Sequence, residues 1–233
     1  MKYRLFVENV EIMQNSHFPL YNTVFPLYIA NRNSHNELIV HIENQKEGVI
    51  MQKIKFYGIG GQGAVTAAKI LSIAVSVHQN EYAITVPAYG HERRGAPVYA
   101  HIIVDDKPVL LNCYVYEPDI IVVFDDNLID MGVDVVEGCT EDTVLVLNTA
   151  RPEMVDKYRR AGSFRRICVC DATGAAVKNI GLNIPNSAML GALARTGVVS
   201  IDAVCSALRD SFGKVGEKNV NAARGAYENT VDA

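Results

Sequence analysis

Three glycines, Gly58, Gly60 and Gly63, have the spacing G-x-G-x-x-G between an apolar strand-like stretch and an alanine-rich stretch with helical periodicity. Small residues at such a junction let the backbone turn tightly and present N–H groups to an anion. The spacing therefore predicts a phosphate-contacting loop or a purely structural turn, and the sequence does not choose between them. The candidate anion-binding residues in this loop are Gly60, Gly61 and Gln62.

Dinucleotide binding at this loop needs a further acid, at the end of the second strand, to hold the ribose hydroxyls. The second strand-like stretch, Tyr82–Val86, has no carboxylate at its end, and Glu81 precedes it instead. The missing acid weakens NAD binding. A stand-alone NAD-dependent oxidoreductase stays an alternative, because the glycine spacing favours it.

The segment from Pro87 to Pro97 follows that strand directly, at the edge where ligands collect in open α/β sheets. It contains Arg93 and Arg94, two adjacent guanidinium groups suited to carboxylates or phosphates. An anion site is one interpretation and an intersubunit salt-bridge loop is the other. His91 is interpreted as a surface or interface residue, because no serine or cysteine nucleophile with a matching acid is recognisable nearby.

Polar residues at other strand and helix ends are interpreted first as caps. Asn186 and Ser187 begin a helix-like stretch of small residues, which allows close helix packing, and capping is favoured there over ligand contact. Asp125, Asp126 and Asp171 follow apolar stretches, where each could cap a helix or hold a cation. Caps are the favoured interpretation.

The five cysteines are an odd number, and only Cys168 and Cys170 are close in sequence. Neither a disulfide framework nor a cluster-binding CxxCxxC run is present. An isolated CxC in an apolar stretch favours two strand residues over a metal site, because strand alternation sends both side chains to the same face and no second pair follows.

The elements that must position these residues follow an α/β pattern from Met51 onward. The predicted strands are Ile54–Tyr57, Tyr82–Val86, Val98–Val104, Val109–Val115, Ile120–Phe124, Val144–Asn148 and Ile167–Asp171. The predicted helices are Ala64–Val77, Ala172–Lys178, Ser187–Arg195, Ile201–Phe212 and Lys218–Asn229. Only four residues join the third and fourth strands, which indicates a hairpin. We therefore expect a doubly wound, mostly parallel Rossmann-like sheet with an antiparallel hairpin and a helical C-terminal region.

Residues 1–50 differ from the rest. They contain seven asparagines and three of the six histidines, with no glycine before Gly48, and their short alternating pieces predict a β-like arm. Such pieces cannot build an independent core, so they should pair with the edge of the main domain or lie on a partner subunit. A poorly ordered arm is the alternative. The predicted organisation is an N-terminal arm at 1–50 and one α/β domain at 51–233.

Composition limits the function classes. The chain has 233 residues, of which 49% are hydrophobic and 21% charged, as in an ordinary globular protein. The formal net charge of −4 provides no basic field for a phosphate backbone, so nucleic acid is disfavoured as a partner. No apolar run approaches 18 residues and the N-terminus is not a secretory signal, so we expect a soluble cytoplasmic protein without a membrane partner.

Four motifs then occur in one order: Gly58–Thr66, Tyr89–Val98, Tyr116–Asp119 and Asn183–Asn186. Together they resemble the gamma subunit of 2-oxoacid:ferredoxin oxidoreductases, over about residues 52–230. The stretch Glu-Arg-Arg-Gly-Ala-Pro is more similar to the pyruvate and 2-oxoisovalerate type than to the 2-oxoglutarate type. The N-terminal fifty residues depart from the compact gamma subunit of the family.

The resemblance implies a multi-subunit enzyme that oxidatively decarboxylates a 2-oxoacid such as pyruvate to an acyl-CoA. Alpha and beta subunits would hold thiamine diphosphate and Mg, a delta-type subunit would carry iron–sulfur clusters, and ferredoxin or another acceptor would take the electrons. This chain is expected to hold no cofactor and no catalytic residue, and to line the active-site region. Its candidate contacts with coenzyme A or another anion are Arg93, Arg94, Gly60, Gly61, Gln62 and Asn186. A non-catalytic scaffold is the further alternative.

Overall fold

The computed structural model of the chain describes residues 51–88, 95–110 and 112–233, and the backbone of four short strands before them. Those strands are β1 (Phe6–Val7), β2 (Val10–Glu11), β3 (Leu27–Arg32) and β4 (Leu38–Glu43). β1 pairs with β2 and β3 pairs with β4, both antiparallel, which confirms the β-like pieces of the arm. The chain divides into two compact units, Met1–Gly48 and Val49–Ala233.

A seven-stranded sheet forms the centre of the second unit. Its strands are β5 (Gln52–Ile59), β6 (Tyr82–Ala88), β7 (Pro97–Asp105), β8 (Ile120–Val123), β9 (Val144–Asn148), β10 (Arg166–Cys170) and β11 (Val231–Asp232). The order across the sheet is β11-β10-β9-β8-β5-β7-β6. β5, β8, β9 and β10 are parallel neighbours, whereas β7 runs antiparallel to both β5 and β6. The mostly parallel α/β prediction is confirmed.

Helices cover both faces of this sheet. They are α1 (Ala64–Ile73), α2 (Pro152–Ala161), α3 (Ala172–Ile180), α4 (Asn186–Ala194), α5 (Ile201–Phe212) and α6 (Gly216–Asn229). One core packs Ile54 and Phe56 against the buried sides of α1, α4, α5 and α6. The other packs Tyr57 and the opposite sides of β8 and β9 against α2. The helical C-terminal region is therefore as predicted, while α2 and β11 were not predicted.

The close packing expected of the small-residue helix is present between α4 and α6. Every residue of α4 is buried. A Cβ atom at Gly191 would overlap the carbonyl oxygen of Ala223 on α6, so only glycine allows this approach of the two helices. Among the described residues, no helix combines the length and the apolar character needed to cross a bilayer.

The predicted hairpin between Val98–Val104 and Val109–Val115 is wrong. β7 pairs instead with β6 on one side and β5 on the other, so both of its edges are occupied and a further strand has no place beside it. Apart from Leu111, which lies outside the described residues, the segment 109–115 has no regular secondary structure. Val115 is buried and Leu110 is 89% exposed.

The strand order changes direction at β5. From β5 the chain passes through α1 to β6 on one side, whereas β8, the parallel neighbour of β5, lies on the other side. Connections that leave in opposite directions open a crevice at the carboxyl ends of the strands, and ligands of open α/β sheets bind there. This switch point places the glycine loop beside the ends of β8, β9 and β10.

Candidate functional site at the carboxyl edge of the sheet

The glycine loop connects β5 to α1 by close approaches that leave no room for side chains at two positions. A Cβ at Gly58 would lie 2.9 Å from the Cβ of Ala64, at the start of α1. Gly63 has a φ of +77° and lies against the side chain of Asn186, whose Nδ2 would be 2.9 Å from an added Cβ. The spacing of these glycines is therefore explained by packing and backbone conformation.

Several N–H groups of the loop donate to partners inside the chain. The amide of Gly60 donates to the carbonyl oxygen of Ala96 at 2.8 Å, and Gly95 donates back to Gly60 at 3.2 Å. The side chain of Gln62 turns over the loop, where its Oε1 accepts from the amide of Ile59 at 2.9 Å. The backbone amide of Gln62 in turn donates to the Ile59 carbonyl oxygen at 3.0 Å. Internal bonds thus occupy much of the predicted anion cradle.

A cleft of about 310 Å³ opens between the glycine loop and the ends of three parallel strands. We call it the switch-point cleft. Its polar lining comes from Gln62, from Asn148 at the end of β9 and from Asn183 after α3. The other polar lining residues follow β8, β9 or β10, namely Asp125, Asp126, Asn127, Thr149, Arg151, Asp171 and Thr173.

An acid does face the glycine loop. It comes from the end of β8 and not from the strand that follows α1 in the sequence. β8 is the parallel neighbour of β5, so Asp125 lies beside the glycine loop and accepts from Gln62 Nε2 at 2.7 Å. Its other oxygen accepts from the amide and the side chain of Asn127 at 3.0 and 2.9 Å. Both oxygens of Asp125 are therefore engaged. One caps the helical turn that follows β8, and the other holds the glycine loop through Gln62.

Asp126 is the centre of a second network. Its carboxylate is 11% exposed and forms a forked pair with Arg151, at 3.1 Å to Nε and 2.5 Å to a terminal nitrogen. The hydroxyl of Thr149 donates to the same carboxylate, and the carboxylate raises the pKa of Arg151 above its ordinary value. The buried hydroxyl of Tyr158 on α2 donates to the Asp126 carbonyl at 3.3 Å. Here an ion pair replaces the predicted cap.

Asn148 ties together the ends of β8 and β9 and the start of α3. Its Nδ2 donates to the Phe124 carbonyl at 2.8 Å and to the Thr173 hydroxyl at 2.9 Å. Its Oδ1 accepts from the amide of Ala172 at 2.9 Å. Asp171 caps α3 by accepting from the Gly174 amide at 2.7 Å, which confirms its predicted role.

Asn186 begins α4 but does not cap it in the predicted way. Pro185 occupies the N-cap position, and Asn186 Oδ1 accepts from the adjacent Ser187 amide at 2.7 Å. Ser187 donates through its hydroxyl to Asn219 on α6 at 2.7 Å. Asn186 is buried against Gly63, so the structure brings this predicted site residue to the glycine loop.

The remaining predicted site residues have different outcomes. Gly60, Gly61 and Gln62 belong to the loop at the cleft, and Gly61 is exposed with a φ of +107°. Arg93 and Arg94, with the rest of the segment 89–94, lie outside the described residues.

Five polar residues of the cleft were not predicted as site residues: Asn127, Asn148, Thr149, Arg151 and Thr173. The signal for three of them is an apolar strand that ends in Asn148-Thr149, followed by Arg151 and a helix-starting proline.

The CxC pair lies on β10, as the strand interpretation predicted. Cys168 and Cys170 are both buried, and burial raises the pKa of each thiol to about 11. Within residues 51–88, 95–110 and 112–233, no group of three or more His, Cys, Asp or Glu side chains could hold a metal ion.

Comparison with known proteins gives a consistent result. The model of the pyruvate ferredoxin/flavodoxin oxidoreductase family matches residues 53–229. The chain is 44% identical over 184 residues to the pyruvate/ketoisovalerate oxidoreductases common subunit gamma of Pyrococcus abyssi, covering 77% of this chain and 97% of that one. It is 46% identical over 184 residues to pyruvate synthase subunit PorC of Methanothermobacter marburgensis, with coverage of 76% and 97%.

A solved structure extends the likeness to three dimensions. The crystal structure of pyruvate oxidoreductase subunit PORC from Thermotoga maritima matches with a TM-score of 0.69 at 34% identity. The match covers 78% of this chain and 98% of that one.

Proposed function

This chain belongs to the pyruvate ferredoxin/flavodoxin oxidoreductase family, and we propose that it is the gamma subunit of a multi-subunit 2-oxoacid:ferredoxin oxidoreductase. The observation that carries the proposal is the match of residues 53–229 together with coverage of 97% of the Pyrococcus gamma subunit. The reaction is the oxidative decarboxylation of a 2-oxoacid such as pyruvate to an acyl-CoA.

The chemistry of this reaction is assigned to other subunits. Alpha and beta subunits would hold thiamine diphosphate, with Mg on its diphosphate, and thiamine would supply the covalent chemistry on the 2-oxoacid. A delta-type subunit would carry the iron–sulfur clusters that pass electrons to ferredoxin or another acceptor. The polar groups of the switch-point cleft support a non-catalytic role for this chain, because Asp125, Asp126 and Asn148 are already held by hydrogen bonds.

Purification and turnover test this function. A tagged chain isolated from its native cells should bring thiamine-binding and iron–sulfur subunits with it, and the complex should reduce a ferredoxin or dye when given pyruvate and coenzyme A. The chain on its own should show no turnover with any 2-oxoacid. Tight NAD binding without those partners would support the stand-alone oxidoreductase, and partners without either cofactor would support a scaffold.

We propose a coenzyme A contact for Arg93, Arg94, Gly60, Gly61, Gln62 and Asn186. Gly95 and Ala96, which follow Arg94 directly in sequence, pair with Gly60, and Asn186 lies against Gly63. These contacts support one shared edge for the arginine segment and the glycine loop. A guanidinium bond to a phosphate contributes roughly 1.5–3 kcal/mol.

Kinetics of the assembled complex test the arginines. Arg93→Ala or Arg94→Ala should raise the KM for coenzyme A on the order of 10- to 100-fold and change kcat little. Subunit content is checked first, because an intersubunit salt bridge would impair assembly instead. An intact complex with an unchanged KM in both variants would refute the contact.

We further propose that residues 1–50 are an assembly arm and that residues 51–233 fold as the family domain. The family match begins at residue 53, which supports this boundary. Deletion of residues 1–50 should leave a folded domain and weaken assembly. A truncated chain that assembles and turns over like the full one would make the arm dispensable.

A further inference from the structure

A second cleft, of about 330 Å³, lies on a face of the antiparallel part of the sheet. Lys55 and Tyr57 of β5 lie opposite His101 and Tyr99 of β7 in the strand register, so these side chains share one face. Tyr114, from the irregular segment after β7, closes one side. We call this the aromatic cleft.

Two polar atoms of the aromatic cleft have no hydrogen-bond partner among the residues that the structure describes. His101 Nδ1 accepts from the Val115 amide at 3.1 Å, so the neutral ring carries its proton on Nε2, which bonds to no described residue. The hydroxyl of Tyr57 is buried without a hydrogen-bond partner among the residues that the structure describes. Lys55 Nζ pairs with Glu137 at 3.2 Å. A buried hydroxyl without a partner is costly, which points to a bound group as its missing partner.

The charges of the described lining residues disfavour an anionic occupant. Among the described lining residues, Lys55 is outnumbered by Asp134 and Glu137, giving a net charge of −1 (one cation, two anions). Burial, and then the nearby Lys55, lower the pKa of His101 to about 4, so its ring is neutral at neutral pH. A phosphate or carboxylate would therefore be repelled, and a neutral group fits.

The rings of the cleft provide stacking surfaces. The rings of Tyr57 and Tyr99 meet edge to face, with their centroids 5.5 Å apart. The ring centroids of His101 and Tyr114 are 4.8 Å apart. Tyr114 is 46% exposed, so part of its surface is open to a ligand. Aromatic rings of this kind bind the flat faces of bases.

We propose that the aromatic cleft binds a neutral planar heterocycle with hydrogen-bonding edges, namely a purine base of the adenine type. His101 Nε2 donates to a ring nitrogen of the base, and Asp134 or Glu137 accepts from its exocyclic amine. Tyr114 stacks on its face. The inference does not depend on the proposed enzyme function, because it follows from this face of the sheet alone.

Titration of the purified chain with adenosine tests the proposal. The chain has no tryptophan and 11 tyrosines, so tyrosine fluorescence and calorimetry can both follow binding. A ligand of this size should bind with a Kd on the order of 0.1–1 mM. Ribose should not bind, and AMP should bind no more tightly than adenosine, because the cleft repels phosphate.

Variants locate the site. Tyr114→Ala should weaken adenosine binding about 10-fold or more through loss of stacking, while Tyr82→Ala, with the same exposure of about 45% outside the cleft, should leave it unchanged. His101→Asn keeps an acceptor for the Val115 amide, removes the Nε2 donor and should weaken binding about 10-fold. No adenosine binding by the folded chain at millimolar concentration, or equal losses in Tyr114→Ala and Tyr82→Ala, would overturn the proposal.

Tyr57→Phe separates binding from a merely structural role. Removal of the unpartnered hydroxyl should raise the Tm of the free chain by about 2–4 °C and lower adenosine affinity. An unchanged affinity in this variant would remove the Tyr57 hydroxyl from the site. Competition with coenzyme A identifies the source of the base: displacement of adenosine assigns the base of that coenzyme, and simultaneous binding assigns a free purine nucleoside or base.

Discussion

The two clefts of this sheet have nearly the same volume, about 310 and 330 Å³, but they treat polar groups in opposite ways. In the switch-point cleft, hydrogen bonds occupy the polar side chains. Asp125 accepts from Gln62, Asp126 accepts from Arg151, and Asn148 accepts from the amide of Ala172 at the start of α3. In the aromatic cleft, the Tyr57 hydroxyl and His101 Nε2 have no described partner. Unfilled hydrogen bonds among the described residues therefore distinguish the aromatic cleft from the switch-point cleft, where internal bonds hold the polar side chains.

The difference has a topological cause. Each parallel strand leads into a helix or helical turn, whose first N–H groups need acceptors, so residues such as Asp125 and Asp171 are used as caps. The face of β5 and β7 is partly lined by the irregular segment after β7, which donates to His101 through the Val115 amide but offers no regular series of donors and acceptors. The hydroxyl of Tyr57 is therefore left there without a hydrogen-bond partner among the described residues.

The largest effect should come from the helical layer that holds Asn186 against the glycine loop. Gly191→Ala places a Cβ on the Ala223 carbonyl and should lower the free energy of unfolding by more than about 3 kcal/mol. Gly225→Ala is the matched control, since nothing lies within 4 Å of its added Cβ, and should stabilise α6 by about 0.5–1 kcal/mol. Urea unfolding measures both, and similar effects of the two changes would contradict the packing of α4 on α6.

The second-largest effect should be a pH dependence of the free energy of unfolding, caused by His101 in the aromatic cleft. The His101 pKa is about 4 in the folded chain and 6.5 in the unfolded chain, so the unfolded state binds the extra proton between these values. The stability from His101 is complete above pH 6.5 and is lost as the pH falls toward 4, by about 3 kcal/mol in all.

Comparison of the parent with His101→Asn isolates this contribution from other acid effects. The difference in unfolding free energy between the two should be flat above pH 7 and shrink below pH 6.5. A difference that stays constant down to pH 4 would rule out the lowered pKa.

The third effect tests the filled network of the switch-point cleft. Asp126→Ala leaves Arg151 and Thr149 without their shared acceptor and should cost about 2 kcal/mol, because the carboxylate is only 11% exposed. Asp130→Ala removes an exposed pair with Lys157 and should cost less than about 1 kcal/mol. Thermal unfolding of both variants measures the contrast, and equal losses would mean that the Asp126 network adds no more than a surface pair.

The smallest effect should be local to the glycine loop. Gln62→Ala removes the acceptor of the Ile59 amide and the donor to Asp125, and should cost about 1 kcal/mol. Hydrogen exchange should speed up at Ile59 and not in the middle of β9. Gln62→Glu should cost more than Gln62→Ala at neutral pH, since it sets a second carboxylate against Asp125; the reverse order would contradict this contact.

The identity of most elements was determined by the sequence, since hydrophobic periodicity and helix propensity are local properties. β9 at Val144–Asn148 and α5 at Ile201–Phe212 agree with the prediction residue for residue. α2 was missed although Met154, Val155 and Tyr158 have the spacing of one helical face and Pro152 stands at its start. The glycine loop, the caps Asp125 and Asp171, and the α/β class could also be predicted.

Only the tertiary structure decided which strands are neighbours. The sequence order suggested that Val109–Val115 pairs with β7 and that the glycine loop lacks a facing acid, because the strand after α1 has no carboxylate at its end. Strand pairing joins residues far apart in the chain: β8 takes the place beside β5 and brings Asp125 to Gln62, while β5 and β6 fill both edges of β7. The aromatic cleft arises from the same pairing, because Lys55 and His101 share a face only once β5 and β7 are in register.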